Sequence, residues 1–414
     1  MPGDLIKAVN AARNIQHSEL NVLVKRVAVI LCSPRSGSSL LKNALESHPG
    51  VASLDGEIEP FLVLTENGFG YNSDSDAIGN LNNKKCLIDN IFDGLSTFSD
   101  DVPGANFLVK KYAKRFLLQF PVKFSKSAGF EDLLRILRSI FDENKNWAHI
   151  KNERDLDKFV LSKVFENEAW RINYYDGNLS ANENLWFDEC LKIEEPPFVM
   201  PRIKRRPFGA EDVESKVLLF KTPPDVYRIG MYEDIFPNAI VKYIHLTRGY
   251  AQSVNGLMDG WLSPVGFFSH DLRKCGLSLN IEGYSDCVPF GKSWWKFDLP
   301  PNWRDFQNEK LENVCLNQWL SSHQAIISSG VDALRVAFED FLMTPLAVVK
   351  RIEKYLGLHE MEVLKDLPVL MATETPALKR WRKRNDLLLT LGRREEVASM
   401  MGSLGYEMNS ETWL

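Results

Sequence analysis

The chain reads as an α/β protein, a P-loop-like central parallel β-sheet flanked by helices and carrying a largely helical insert. Three observations predict it. A short apolar run, Lys25-Arg-Val-Ala-Val-Ile-Leu-Cys32, empties into a Gly/Ser loop that opens a helical pattern. Two more apolar runs, 216–221 and 240–247, stop abruptly at Lys221 and Arg248. A last run, Leu334-Arg-Val-Ala-Phe-Glu-Asp, leads into a second helical pattern. Alternation of this kind stacks strands in parallel with helices on both faces and puts ligands at the strands' carboxyl edge.

Each element has its own justification. After the first strand, Leu40, Leu41, Ala44, Leu45 and His48 fall at helical spacing and Pro49-Gly50 ends the run. The strand at 216–221 is closed by Pro223-Pro224, and the one at 240–247 turns into a helix that runs towards Trp261. In the final unit Thr344 suits an N-cap, Pro345 the first turn and Gly357 the exit, while Val348, Val349, Ile352 and Leu356 form one apolar face. These segments make a core of residues 1–61 and 216–414. Residues 62–215, with helix-like runs at 130–141 and 154–168, read as a mostly helical insert capping the site. Residues 262–310 form a second, aromatic-rich insert with Phe267, Phe268, His270, Trp294, Trp295, Phe297 and Trp303, suited either to packing or to walling an acceptor pocket.

Composition narrows the function classes. With 414 residues and 44% hydrophobic content the chain can bury a sizeable core, and a net charge of −5 gives no support for a nucleic-acid surface, so anion binding has to be local. The basic stretch Arg202-Ile-Lys-Arg-Arg206 then reads as a solvated loop. Six cysteines, Cys32, Cys86, Cys190, Cys275, Cys287 and Cys315, show no CxxC spacing, which argues against a zinc site and for a reducing compartment. Neither a leader pattern nor an apolar run of membrane-spanning length occurs, so a cytoplasmic protein without membrane or nucleic-acid partners is expected; no oligomeric state follows from the sequence.

The loop Ser33-Pro-Arg-Ser-Gly-Ser-Ser39 carries the chemistry. Backbone N–H groups at a helix start favour an anion. Gly37 lets the backbone come close, Ser36, Ser38 and Ser39 bring hydroxyl donors, and Arg35 brings a permanent charge shaped for phosphate or sulfate oxygens. A nucleotide triphosphatase loop would need a lysine before its terminal Ser/Thr and a later strand-end aspartate for magnesium. This loop has no such lysine, and the strand at 240–247 meets Arg248 instead. A metal-free anionic donor is expected.

These residues resemble the sulfotransferases that use 3′-phosphoadenosine 5′-phosphosulfate (PAPS), whose loop reads Pro-Arg/Lys-Ser/Thr-Gly-Ser/Thr-Ser/Thr as at Pro34 to Ser39. Four further segments follow in the family's order. Gly56-Glu57-Ile58-Glu59-Pro60 resembles the position of a general base, which implies Glu57 in that role with Glu59 as second choice. Lys221 resembles a stabiliser of the departing phosphate. Arg248 matches the arginine of the 3′-phosphate site, where Gly256 stands at the usual serine place and Ser253 or Asn255 would have to substitute. The run Leu334 to Leu346 is similar to the family's last strand, with Glu339-Asp340 structural, and Leu378-Lys-Arg-Trp-Arg-Lys-Arg384 to a basic loop that closes over the nucleotide, implying Trp381 for stacking and Arg382 for phosphate. His270 is a reserve base. The run 255–261 is similar to a bacterial subgroup that tailors natural products. The resemblance implies sulfuryl transfer from PAPS, with adenosine 3′,5′-bisphosphate (PAP) as product and no metal, to a hydroxyl or amine of a small-molecule acceptor. A P-loop nucleotide or small-molecule kinase and a non-catalytic nucleotide-binding module remain as alternatives; a hydrolase using Glu57 and Glu59 explains the anion sites least.

Overall fold

A computed structural model describes residues 2–101, 103–142, 147, 150, 152–168, 191–196, 199–364 and 367–413. Cys190 lies outside the described residues.

The strands are β1 (Arg26–Cys32), β2 (Val51–Leu54), β3 (Leu95–Phe98), β4 (Arg205–Pro207), β5 (Val217–Lys221), β6 (Ile240–Thr247), β7 (Phe268–Asp271), β8 (Trp294–Lys296) and β9 (Ala333–Ala337). Seven of them form one sheet in the order β4-β3-β2-β5-β1-β6-β9, and β7 and β8 pair as a separate hairpin. In that order the five strands from β2 through β9 are parallel, with Ile30 facing Lys221 across β1 and β5 and Cys32 facing Leu246 across β1 and β6. The expected parallel sheet is thus present. Along β1 successive residues feed opposite faces. Val27, Val29 and Leu31 pack into one core, while Ala28, Ile30 and Cys32 pack into another with the helices Ser38–Glu46 and Pro345–Leu356.

Several elements escape a reading of the sequence. The N-terminal helix Pro2–Arg13 and the 19-residue helix Leu311–Ser329 are not anticipated by it. The second buries residues around its circumference, so no clean polar face marks it. β2 is four buried residues long, too short for a visible period. Residues 62–215 are more than a helical cap, because β3 and β4 extend the sheet by antiparallel pairing. The stretch 202–206 is not the solvated loop expected of it. Arg205 is buried and donates to Ser53 Oγ, Ser96 Oγ and the Glu46 carbonyl, so it ties β2, β3 and the first sheet helix together. A buried guanidinium with its donors spent on oxygen acceptors is structural.

A third core surrounds the helix Tyr250–Leu262 and takes in most of the 262–310 rings. Trp294, Trp295 and Trp303 are fully buried there, Trp295 meeting Trp261 edge-on at 5.1 Å. Packing therefore accounts for these rings, whereas Phe267, His270 and Phe297 face a cleft. Among the described residues no helix is long and apolar enough to cross a membrane.

Candidate functional site

Four neighbouring parallel strands, β2, β5, β1 and β6, end on one side of the sheet, and each hands a polar residue to a cleft of about 910 Å³. From β1 comes the 33–39 loop, from β5 Lys221, from β6 Arg248, and from the turn after β2 Glu57.

At the loop, Gly37 caps the helix Ser38–Glu46 with φ +87°, and a Cβ at this position would lie 2.1 Å from the Phe338 ring. Only glycine meets both demands. Ser38 and Ser39 line the cleft; Ser36, expected there as a donor, is buried beside Cys32 and absent from the cleft wall. Burial raises the Cys32 thiol pKa, so this cysteine acts as packing.

Arg35 also lies in the left-handed region, at φ +64°. Its guanidinium stacks 4.9 Å from the Phe267 ring centroid and donates to the Met371 carbonyl at 2.5 Å. Arg248 approaches from the other side, donating to the Arg35 carbonyl at 2.9 Å and lying 4.8 Å over Phe338. Burial lowers its pKa, with Glu339 opposing the change. The two arginines therefore share one cleft, joined through the loop backbone.

At the far side Lys221 Nζ donates to Glu57 Oε1 at 2.5 Å and to Ser39 Oγ at 3.2 Å. The lysine is 5% exposed and the carboxylate 25%, so both border the cleft and the acid is the more open of the two. Ile58 N donates to Thr222 Oγ1 at 3.2 Å, pinning the Glu57 turn to the end of β5. Glu59 also borders the cleft, but Arg228 holds its Oε1 at 2.5 Å and also grips Asp225. His270 sits on β7 with Nε2 3.3 Å from Asp76 Oδ1, and Phe69 meets its ring edge-on at 5.4 Å.

The structure separates other expected residues from this group. Ser253 is fully buried and absent from the cleft wall, because the helix begins at Tyr250 and turns that position inward; Gln252, Asn255 and Gly256 face the cleft. A Cβ at Gly256 would rest 3.4 Å from Arg35 Cβ, so this glycine packs on the arginine's stem. Arg382 points away and lies 3.6 Å from Glu411, half exposed. Arg380 reaches the cleft instead and pairs with Asp259 at 2.9 Å, as does Arg384 at 2.7 Å. Trp381 touches the cleft from a buried position against Trp413, 5.3 Å away. Glu339 accepts from Gly249 N and from the Tyr406 hydroxyl, in keeping with a structural role.

Sequence reasoning missed Phe338, Asp76, Glu195 and Arg380. Phe338 directly follows the β9 pattern and was within reach. Asp76 and Glu195 lie in the insert, where no periodicity aims a side chain.

No protein-family model matches the chain, and no curated protein matches it. Among solved structures it is similar to the sulfotransferase domain from the curacin biosynthetic pathway, at 14% identity and a TM-score of 0.38, over 93% of this chain and 99% of that one. The sulfotransferase domain from the Synechococcus PCC 7002 olefin synthase aligns at 14% identity and 0.36, over 95% and 99%. A sulfotransferase from Alicyclobacillus acidocaldarius aligns at 11% and 0.36, over 92% and 97%. All three are sulfotransferases.

Proposed function

We propose that the protein is a PAPS-dependent sulfotransferase that moves the sulfuryl group to a hydroxyl or amine of a small molecule, a secondary metabolite in the reading the resemblance gives. The observation that carries this is the Glu57–Lys221 ion pair, seated on Ser39 of the anion-binding loop in a cleft that also holds Arg35 and Arg248. A donor with a phosphosulfate at one end and a 3′-phosphate at the other needs two cationic stations in one cleft. A kinase loop would put a lysine where this loop has serine.

The residues fit such a donor. Backbone N–H groups of residues 36–39 and the Arg35 fork suit the 5′-phosphosulfate, and Arg248 suits the 3′-phosphate. With donor bound, Glu57 takes the proton as the acceptor's oxygen or nitrogen bonds to sulfur; the bond from sulfur to the 5′-phosphate oxygen breaks, and its electron pair leaves on PAP. Lys221 and Arg35 face the charge that develops on the leaving and sulfuryl oxygens, prearranged so that little reorganisation is needed. The cleft's volume of about 910 Å³ leaves room for an acceptor beside the nucleotide.

The test is mass spectrometry of a panel of hydroxylated and amino compounds incubated with PAPS and the protein. A product heavier by one sulfonate, absent with Glu57→Gln, supports the reading. PAP binding without transfer to any member would favour a non-catalytic binding module, and ATP turnover with magnesium a kinase.

A further inference from the structure

Resting on that reading, we propose that Phe267, seated by the buried carboxylate of Glu195, is a positioning residue that fixes the Arg35 guanidinium for sulfuryl transfer.

The sequence Ser263-Pro-Val-Gly-Phe-Phe268 turns sharply into β7, and both Gly266 (φ +82°) and Phe267 (φ +67°) take left-handed conformations there. A phenylalanine does not adopt this geometry unless its surroundings impose it. The surroundings are specific. Glu195 Oε2 accepts from Phe267 N at 2.7 Å and Oε1 from Phe268 N at 3.2 Å, so one carboxylate consumes two successive backbone donors. Opposite, the buried Lys296 ammonium donates to the carbonyls of Ser263 and Gly266 at 3.0 and 2.7 Å and lies 3.4 Å over the Phe268 ring. An acid and a base from different segments thus clamp both polar sides of one turn.

What the clamp presents is a flat ring. Phe267 stacks on Phe297 with centroids 4.5 Å apart and planes at 30°. Phe297 is itself left-handed, at φ +63°, and is backed by Gly260, where a Cβ would come within 2.3 Å of it. Against the Phe267 ring lies the Arg35 guanidinium, again on a left-handed residue. Three L-residues in the sparsely populated region meet in a single stack against the anion-binding loop. Strain of this kind gathers where geometry has to be fixed. A guanidinium over a ring face keeps its charge while losing its freedom, and along its edge Nη1 donates to the Met371 carbonyl at 2.5 Å and Nη2 to Thr373 Oγ1 at 3.5 Å. A loosely held arginine would still attract the donor but would reorganise during transfer, so the effect belongs in turnover rather than in product binding.

The experiment compares Phe267→Leu, Phe267→Tyr and Glu195→Gln with the wild type, reading kcat, KM for PAPS, PAP affinity by calorimetry, and Tm. Leucine fills the space without offering a ring face. Phe267→Leu is expected to lower kcat about tenfold while shifting PAP affinity less than about threefold, with Phe267→Tyr restoring most of kcat. Glu195→Gln, which offers one acceptor for two N–H groups, is expected to follow the leucine variant. Wild-type kcat in Phe267→Leu overturns the proposal, and so does a tyrosine variant as impaired as the leucine one, since shape alone would then matter. A wild-type protein that binds no PAP and transfers nothing overturns the reading of the site itself, and the proposal with it.

Discussion

Glu57 and Lys221 reach each other from the carboxyl ends of adjacent parallel strands and join at 2.5 Å, with the lysine's second donor on Ser39 of the 33–39 loop. On the proposed reading the pair links the general base to the leaving-group side of the site through one ammonium. Glu57→Gln keeps the shape and a carbonyl acceptor for Lys221 but cannot take a proton. It should leave PAP affinity within about twofold and lower turnover by about a hundredfold or more, which calorimetry and a sulfation assay on one preparation can check. Undiminished turnover would remove Glu57 from the mechanism.

Arg248 has two duties that one substitution removes together. On the proposed reading it offers charge to a 3′-phosphate, and through Nη1 it holds the Arg35 carbonyl at 2.9 Å. Arg248→Ala should weaken PAP binding about tenfold to a hundredfold, the range for a charge-assisted contact of about 1.5–3 kcal/mol. Adenosine 5′-monophosphate, which lacks the 3′-phosphate, should lose far less. Equal losses for both nucleotides in side-by-side titrations would mean that Arg248 supports the loop and not the phosphate.

How far the sequence exposes this site depends on where each residue lies. The loop at 33–39, Lys221 and Arg248 sit at the ends of short apolar runs, so the strand endings alone mark them. Glu57 follows β2, whose four residues give no period, and is reached only through resemblance to a family. Arg382 and Ser253 are misplaced by sequence for a geometrical reason. A shift of two residues in the turn 380–384 exchanges Arg380 for Arg382, and a helix starting at Tyr250 turns Ser253 into the core. Asp76 and Glu195 are beyond reach, because they act across more than seventy positions of sequence through backbone N–H groups that leave no mark in composition.

Gly37 offers a test of the loop that needs no ligand. Alanine there would combine a left-handed φ of +87° with an overlap of 2.1 Å against Phe338. The two costs are of different kinds, roughly 1–3 kcal/mol for the conformation and a similar amount for overpacking. Gly37→Ala should therefore be clearly destabilised in urea melts, and adding Phe338→Ala should relieve the overlap while leaving the conformational cost. If the double variant were less stable than the sum of the single ones, the two residues would not be in contact as described.

Asp157 gives a pH-dependent prediction about the insert. Its carboxyl is buried in the insert and accepts from the Tyr112 hydroxyl at 2.8 Å; burial pushes its pKa up to about 8, against the opposing pull of that hydrogen bond and of Arg154. In the unfolded chain the same group titrates near the ordinary carboxylate value of about 3.9. Between those two values the folded protein holds a proton that the unfolded chain releases, so stability falls as pH rises through the window and levels off above about 8. Asparagine keeps an oxygen for Tyr112 and carries no charge at any pH. Asp157→Asn should match the wild type near pH 4 and exceed it increasingly up to pH 9, by at least about 3 °C in Tm. Titrating groups that do not interact with Asp157 contribute equally to both proteins, so the difference between the two melting curves isolates this carboxyl and its coupling to Glu153, Arg154 and Arg202. Parallel curves from pH 4 to pH 9 would show that Asp157 is ionised in the folded protein and that its hydrogen bond to Tyr112 is made to a carboxylate.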